Sequence, residues 1–104
     1  MLSVPHQILR EDGSVVDEKL LPPLSDETLV RLYREMLRLR TLDDRMLTLQ
    51  RQGRISFYGA AQGQEAAVMG SALAMEPRDF VMPALREAGV LLFRGFPLRI
   101  ILIN

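Results

Sequence analysis

The sequence has no cysteine, no tryptophan and a single histidine. Without cysteine, the chain has no disulfide, no thiolate metal site and no cysteine nucleophile. His6 lies in a segment predicted to be extended, where a lone histidine is most often a solvated side chain, and it does not make a zinc site without a partner. Thirteen basic residues balance thirteen acidic ones. The clustered positive charge of a nucleic-acid-binding or membrane-surface protein is therefore missing.

Long apolar runs are missing as well. No stretch approaches the roughly 18 apolar residues of a membrane span, and the run Ile100–Ile103 is far too short. The first twenty residues lack the pattern of a signal peptide, and their acids do not suit a mitochondrial transit peptide (Glu11, Asp12, Asp17 and Glu18). The expected location is the bacterial cytoplasm.

What the chain does contain is an ordinary globular composition. Its 104 residues are 48% apolar and 25% charged, which suits one small domain with a modest core. Residues 1–24 are predicted to form an extended arm, because Gly13 follows an aspartate in a turn pattern and Pro22-Pro23 favours extended backbone. Val15-Val16 is interpreted as a short strand within this arm.

The clearest periodic signal predicts a long helix over residues 26–52. Apolar residues recur there at steps of three and four, which is the period of one helix face. Ser25 is a suitable N-cap, and the acids Asp26 and Glu27 suit the positive first turn. Gly53 is a suitable stop.

Shorter elements follow, and together they predict a mostly α chain. Residues 54–63 form a loop or irregular strand, and a helix of small residues covers 64–75. Phe80-Val81-Met82 is predicted to be a short buried strand that ends at Pro83. A helix over 86–94 and a last helix from Pro97 through Ile103 complete the prediction.

Three places depart from simple core patterning. Ser56–Gly59 is either a surface loop with two buried rings or the wall of a pocket for a small apolar substrate. Gly63–Glu65 is either an ordinary helix start, an anion or cofactor site at free amides, or a place where a buried glutamate meets a polar partner across an interface. Arg86 is either solvated or near an anion, for which its planar guanidinium suits phosphate. No residue is predicted to be catalytic.

Taken in order, these places resemble a known family. Arg45 through Tyr58, then Gly63–Ala66, then Arg86 through Leu98 are similar to the alpha subunit of thiamine-diphosphate-dependent 2-oxo acid dehydrogenases. The resemblance runs from about Leu24 to the end. It implies that residues 25–104 are the helical N-terminal portion of the α/β thiamine diphosphate-binding fold, incomplete as it stands.

The strings Arg54–Tyr58 and Arg86–Leu91 look more like the branched-chain enzyme, 3-methyl-2-oxobutanoate dehydrogenase, than the pyruvate enzyme. Pyruvate or acetoin dehydrogenase is the alternative within the family. A second alternative is a truncated helical fragment that binds a partner and has no catalysis. The resemblance implies an oxidoreductase that decarboxylates a 2-oxo acid on thiamine diphosphate and passes the acyl group to lipoamide. The expected partners are a beta subunit, in an α2β2 heterotetramer, and a lipoyl acyltransferase core.

The resemblance also implies roles for four residues. Phe57 and Leu85 would contact substrate, and Ala84, Leu85 and Arg86 would contact the cofactor, with Arg86 on a diphosphate oxygen. Leu85 stands where the family has a tyrosine, so the hydroxyl hydrogen bond of that position is missing. The family's Gly-Asp-Gly…Asn segment, which holds Mg²⁺, lies further along the family's chain, so no metal ligand is expected here. The 104-residue chain alone is expected to be inactive and to bind no thiamine diphosphate.

Overall fold

Residues 3–103 are described by the computed structural model. Met1 and Leu2 of the predicted arm, and Asn104 of the predicted domain, lie outside that range. A short 3-10 helix (Glu18–Leu20) in the predicted extended arm precedes four α-helices: α1 (Asp26–Arg51), α2 (Glu65–Ala74), α3 (Ala88–Phe93) and α4 (Leu98–Ile101). No strand forms within the described range, which confirms the prediction of a mostly helical chain. None of the helices in that range is long and apolar enough to cross a membrane.

Local signals at both ends of α1 explain its length. The Ser25 side chain accepts the backbone N–H of Thr28 at 3.2 Å, which satisfies one of the free donors of the first turn. At the other end, Gly53 adopts a φ of 70°, which favours glycine. The N–H of Arg54 then donates to the carbonyl of Leu49 and closes the last turn. The predicted helix, its cap and its stop are confirmed.

The core lies where α1, α2 and α3 meet. Met69 of α2 is fully buried, and Gly89 of α3 lies so close to the other two helices that a Cβ there would be 2.8 Å from Leu39 Cδ2 and 2.9 Å from Val68 Cγ1. The small residues of the predicted 64–75 helix and of α3 therefore permit close helix packing. The buried cluster consists of Leu39, Ala61, Val68, Met69, Ala72, Val90 and Leu92.

The segment before α1 has little regular structure. Leu9 and Val15 form one isolated antiparallel bridge around a turn in which the Asp12 carboxylate accepts the N–H of Ser14 at 2.8 Å. The predicted strand Val15-Val16 is thus reduced to a single bridge at Val15. His6 is exposed, as expected. The domain boundary between residues 24 and 25 stays a prediction.

The predicted buried strand Phe80-Val81-Met82 is wrong. Phe80 and Met82 are 87% and 82% exposed, and only Val81 packs against the core. The local sequence has the aromatic and β-branched residues of a strand, but a strand also needs a neighbouring extended segment to pair its N–H and C=O groups. Within residues 3–103 no such segment pairs with it.

Several predicted helix bounds also differ from the observed ones. α3 begins at Ala88 instead of residue 86, because Glu87 has the φ of −99° and ψ of 12° of a residue outside the helix. α4 begins at Leu98, with Pro97 as its N-cap residue instead of its first helical residue, and ends at Ile101 instead of Ile103. The first difference affects the site, because it places Arg86 before α3 and outside its first turn.

Candidate active-site segments

The loop of residues 57–61, called the 57–61 loop below, is held against α1 by three hydrogen bonds. The Gln50 side-chain oxygen accepts the N–H of Tyr58 at 2.6 Å. Asp43 Oδ1 accepts the Tyr58 hydroxyl at 2.7 Å, and Asp43 Oδ2 accepts the N–H of Ala61 at 2.8 Å. Each oxygen of the Asp43 carboxylate thus has its own donor in the loop.

Burial gives these bonds their strength. Asp43 is 0% exposed, and a buried carboxylate is costly unless it is hydrogen-bonded. Burial, followed by the hydrogen bond to Asp43 and its negative charge, raises the pKa of the Tyr58 phenol far above its ordinary value. The phenol therefore stays protonated throughout the neutral range and serves as a hydrogen-bond donor.

Residues 84–87, called the 84–87 segment below, lie beside this loop. Arg86 Nη1 donates to the backbone carbonyl of Ala60. Gly59 and Leu85, the residues before Ala60 and Arg86, are also in contact. A Cβ added to Gly59 would be 2.8 Å from the Leu85 carbonyl oxygen and 3.0 Å from Leu85 Cγ. Two segments separated by more than twenty residues in sequence are therefore neighbours in the structure.

Glu87 shapes the 84–87 segment from within. Its Oε2 accepts the N–H of Ala84 at 3.1 Å and the N–H of Arg86 at 3.2 Å. The carboxylate thus binds backbone amides, while the Arg86 guanidinium binds the neutral carbonyl of Ala60. The N–H of Ala84 is consequently already donated within the segment.

The structure brings the predicted site residues only partly together. Leu85 and Arg86 meet the 57–61 loop at Gly59 and Ala60. Phe57 instead lines a different cleft, of about 250 Å³, together with its neighbours in residues 55–58, Met46 of α1 and Ile101 of α4. Ala84 lines another cleft, of about 430 Å³, between α2 and the extended residues 80–84. The assigned roles of these residues in substrate and cofactor binding stay predictions.

Two expectations about side chains near the site need correction. The hypothesis of two buried rings is wrong for Phe57, which is 64% exposed, whereas Tyr58 is half-buried. The prediction that Arg86 begins a helix is also wrong, because α3 begins at Ala88. An anion is expected near Arg86 because its guanidinium is positively charged and has further N–H donors besides the one that binds the Ala60 carbonyl.

The start of α2 shows which partner the glutamate of that segment has. Glu65 is only 7% exposed, and its carboxylate accepts Arg40 Nε of α1 at 2.5 Å and the N–H of Gly63 at 2.9 Å. The hydrogen bond from Arg40 is the main cause that lowers the pKa of Glu65. The first turn of α2 has no side-chain cap, so the anion or cofactor site at its amides stays a prediction. The polar partner of the buried glutamate lies in the same chain.

Asp43 is the functional candidate that the sequence analysis missed. It lies four residues after Leu39 and three before Met46, and both of these residues are buried. Residues at these spacings share one helix face. An acid on the apolar face of α1 was thus a visible signal, although its partners Tyr58 and Ala61 were not.

The residues that are present suit one part of a thiamine diphosphate site. The exposed guanidinium of Arg86 fits a diphosphate oxygen, because one of its five N–H donors is given to Ala60 and the others have no protein acceptor among the described contacts. No group of three or more His, Asp or Glu side chains in residues 3–103 is arranged to hold a metal ion.

Comparison with known proteins defines the class. The family model described as "Dehydrogenase E1 component" matches residues 33–104. The chain belongs to this family, and the match confirms its resemblance to the alpha subunits of 2-oxo acid dehydrogenases.

Curated relatives carry a more particular name. The chain is 47% identical over 92 residues to a protein of Staphylococcus epidermidis named pyruvate dehydrogenase E1 component subunit alpha. It is 45% identical over 92 residues to the protein of the same name from Staphylococcus aureus. Each alignment covers 88% of this chain and 25% of the relative. The chain thus spans about a quarter of the length of these relatives.

Proposed function

We propose that this chain supplies one wall of the thiamine diphosphate site in the alpha subunit of a 2-oxo acid dehydrogenase, with pyruvate as the 2-oxo acid. The observation that carries the proposal is the contact between Arg86 and the 57–61 loop. In this contact the neutral carbonyl of Ala60 orients the Arg86 guanidinium. When bound, the cofactor supplies the carbanion chemistry that decarboxylates the 2-oxo acid. The chain's own part is to hold the diphosphate and to shape the pocket.

Arg86 is the residue proposed to bind the diphosphate. Its bond to the Ala60 carbonyl fixes the guanidinium without neutralising it, and charge-assisted bonds from arginine to phosphate are among the stronger ones in proteins. Leu85 lies next to it against Gly59 and is proposed to present an apolar surface in place of the hydroxyl group of the family's tyrosine. Phe57 is proposed to lie on the substrate side, where its exposed ring is available to an acyl group.

The choice of pyruvate rests on the relatives. Both named proteins are pyruvate dehydrogenase subunits at 45–47% identity, and these names favour pyruvate over the branched-chain interpretation of Arg54–Tyr58 and Arg86–Leu91. One methylene more or less in an apolar pocket changes discrimination by about 1–3 kcal/mol. The branched-chain substrate is therefore the second candidate, and it is favoured only by those two strings.

The proposed partners are a beta subunit of the same component, in an α2β2 heterotetramer, and a lipoyl acyltransferase core, and the proposed location is the cytoplasm. We expect that the chain alone binds no thiamine diphosphate with Mg²⁺, because Arg86 is the sole diphosphate contact proposed within residues 3–103. Calorimetric titration tests this expectation, and micromolar binding by the chain alone contradicts it. The third hypothesis, a non-catalytic interaction fragment, gains support from the exposed Phe80 and Met82.

The deciding experiment assembles the alpha subunit that carries this sequence with a beta subunit and measures decarboxylation that depends on thiamine diphosphate. Pyruvate and 3-methyl-2-oxobutanoate are compared by kcat/KM for decarboxylation, and acetoin, which has no carboxyl group to lose, is compared by the cofactor-dependent reduction of an added electron acceptor. We expect pyruvate to give the largest value. Arg86→Ala is expected to raise the KM for thiamine diphosphate, whereas Arg78→Ala, which removes an exposed arginine paired with Glu76, is the matched control. A wild-type assembly without activity on any of these substrates favours the interaction fragment.

A further inference from the structure

The strongest feature that the proposed function does not use is the buried carboxylate of Asp43. We propose that Asp43 is a positioning residue for Arg86, acting through the 57–61 loop by its hydrogen bonds to the Tyr58 hydroxyl and the Ala61 N–H. The inference rests on the proposed function, because it assigns to Asp43 the orientation of the residue that is proposed to hold the diphosphate.

The contacts of the Asp43 carboxylate lead to the 57–61 loop. Both of its oxygens are occupied by donors from the loop, at 2.7 and 2.8 Å. The ion pairs in residues 3–103 join other residues, namely Glu35 with Arg38, Arg40 with Glu65, and Glu76 with Arg78. Arg40 of α1 also interacts electrostatically with Asp43, but its guanidinium is bonded to Glu65. What the carboxylate provides is a defined geometry for two donors.

The order of residues in the loop links Asp43 to the 84–87 segment. Asp43 binds Tyr58 and Ala61, and the two residues between them are the ones that meet the 84–87 segment. Gly59 lies against the backbone of Leu85, and the carbonyl of Ala60 accepts Arg86 Nη1. Tyr58 and Ala61, which Asp43 binds, thus lie on either side of the two residues that contact the 84–87 segment. A shift of the held residues has to move the Ala60 carbonyl.

The burial of Asp43 suits a residue that positions others and does not contact the substrate. Asp43 is 0% exposed, and its oxygens are already engaged, so it does not reach a substrate or an external anion. Gln50 adds a third bond, from the Tyr58 N–H at 2.6 Å, and fixes the same end of the loop. The buried network is therefore fully bonded at Asp43, which is the arrangement in which polar networks rigidify a structure.

The test uses NMR on the full chain and follows the proximity of Gly59 to Leu85. We expect Asp43→Ala to abolish the nuclear Overhauser effect between the Gly59 α protons and the Leu85 methyl groups, while circular dichroism shows intact helices. Asp43→Asn is expected to restore it in part, because an amide also accepts from the Ala61 N–H and donates to the Tyr58 oxygen. Asp44→Asn is the matched control. Asp44 is the neighbouring acid and is exposed. Its carboxylate accepts the Gln62 side chain at 2.7 Å, and its replacement should leave the effect unchanged.

A second readout uses the alpha subunit assembled with its beta subunit. We expect Asp43→Ala to raise the KM for thiamine diphosphate about tenfold, with a smaller change in kcat at saturating cofactor. This is the lower end of the 10–100-fold typical for partners that orient a metal ligand. A residue that serves only stability lowers the amount of active enzyme and leaves the KM unchanged.

The outcomes are distinguishable. If Asp43→Ala keeps both the proximity effect and the KM, Asp43 is a packing residue and the proposal is wrong. If Asp43→Ala does not fold, Tyr58→Phe decides in the same two assays, since it removes one hydroxyl and leaves the Ala61 bond in place. If the wild-type assembly shows no cofactor-dependent activity, the proposed function fails, and the NMR result still decides whether Asp43 positions the loop.

Discussion

Gly59→Ala is the substitution that most directly separates the two segments of the site. A methyl group at this position lies 2.8 Å from the Leu85 carbonyl oxygen, whereas ordinary contact begins at 3.4 Å. The 57–61 loop and the 84–87 segment must therefore move apart by about 0.6 Å, which is the difference between these distances. Since the obstructing atom belongs to the backbone, it does not rotate away as the end of a long side chain does.

The expected magnitude follows from two opposing effects. Overpacking of this kind costs about 1–3 kcal/mol, and the reduced freedom of the unfolded chain returns about 0.4–1 kcal/mol where the native conformation is compatible. The φ of Gly59 is not positive, so the backbone conformation itself accepts alanine. We expect a net loss of about 1 kcal/mol in the free energy of unfolding.

Urea denaturation measures this loss, and Gly70→Ala is the matched control. Gly70 lies in α2 with no atom within 4 Å of an added Cβ, so alanine there is expected to stabilise the helix by about 0.5–1 kcal/mol. In the assembled enzyme, Gly59→Ala is also expected to raise the KM for thiamine diphosphate, because the Ala60 carbonyl withdraws from Arg86. If Gly59→Ala is as stable as Gly70→Ala and leaves that KM unchanged, the two segments do not touch as described.

The remaining predictions concern pH and helix packing. The pKa of Tyr58 is raised on folding, so the folded state keeps the proton longer than the unfolded state, whose tyrosine titrates near pH ~10. The contribution of Tyr58 to the free energy of unfolding is therefore fully present below that pH and decreases above it. Tyr58→Phe should abolish this decrease, measured by urea denaturation between about pH 8 and 11. The pKa of Glu65 is lowered from 4.5, so its contribution is present above that pH and lost as the solution becomes more acidic. Glu65→Gln should flatten the decrease in stability between about pH 5 and 3, whereas Glu76→Gln, in an exposed pair, should not. Gly89→Ala should cost about 1–3 kcal/mol, measured by urea denaturation, because its Cβ would lie 2.8 Å from Leu39; a stability equal to that of the parent chain would contradict the tight packing of α3.

Features with local causes were predictable from the sequence. The long helix α1 follows from an apolar period, a serine cap and a terminal glycine, all of which act within a few residues. The mostly helical fold and the break before Glu65 follow in the same way. The family could also be inferred, because the order of the three segments is itself a sequence property.

Features that depend on distant partners were not predictable in this way. Phe80-Val81-Met82 has the composition of a strand but no pairing segment in residues 3–103. The apolar face of α1 made Asp43 noticeable, yet only the folded loop shows that Tyr58 and Ala61 are its partners. The contact of Gly59 with Leu85 likewise has no local signal, because nothing in either segment specifies the other.

The division of charges at the site favours the binding of an anion. Arg86 has an acid as its neighbour in sequence, and a direct pair between the two side chains would have compensated the positive charge. Instead, Glu87 accepts the backbone N–H groups of Ala84 and Arg86, and the guanidinium donates to the neutral carbonyl of Ala60. A carbonyl orients a guanidinium while leaving its net charge in place. The Ala60 carbonyl is in turn fixed by a loop whose bonds end on the buried Asp43, so the geometry of a charged residue at the surface depends on an acid in the core of the protein.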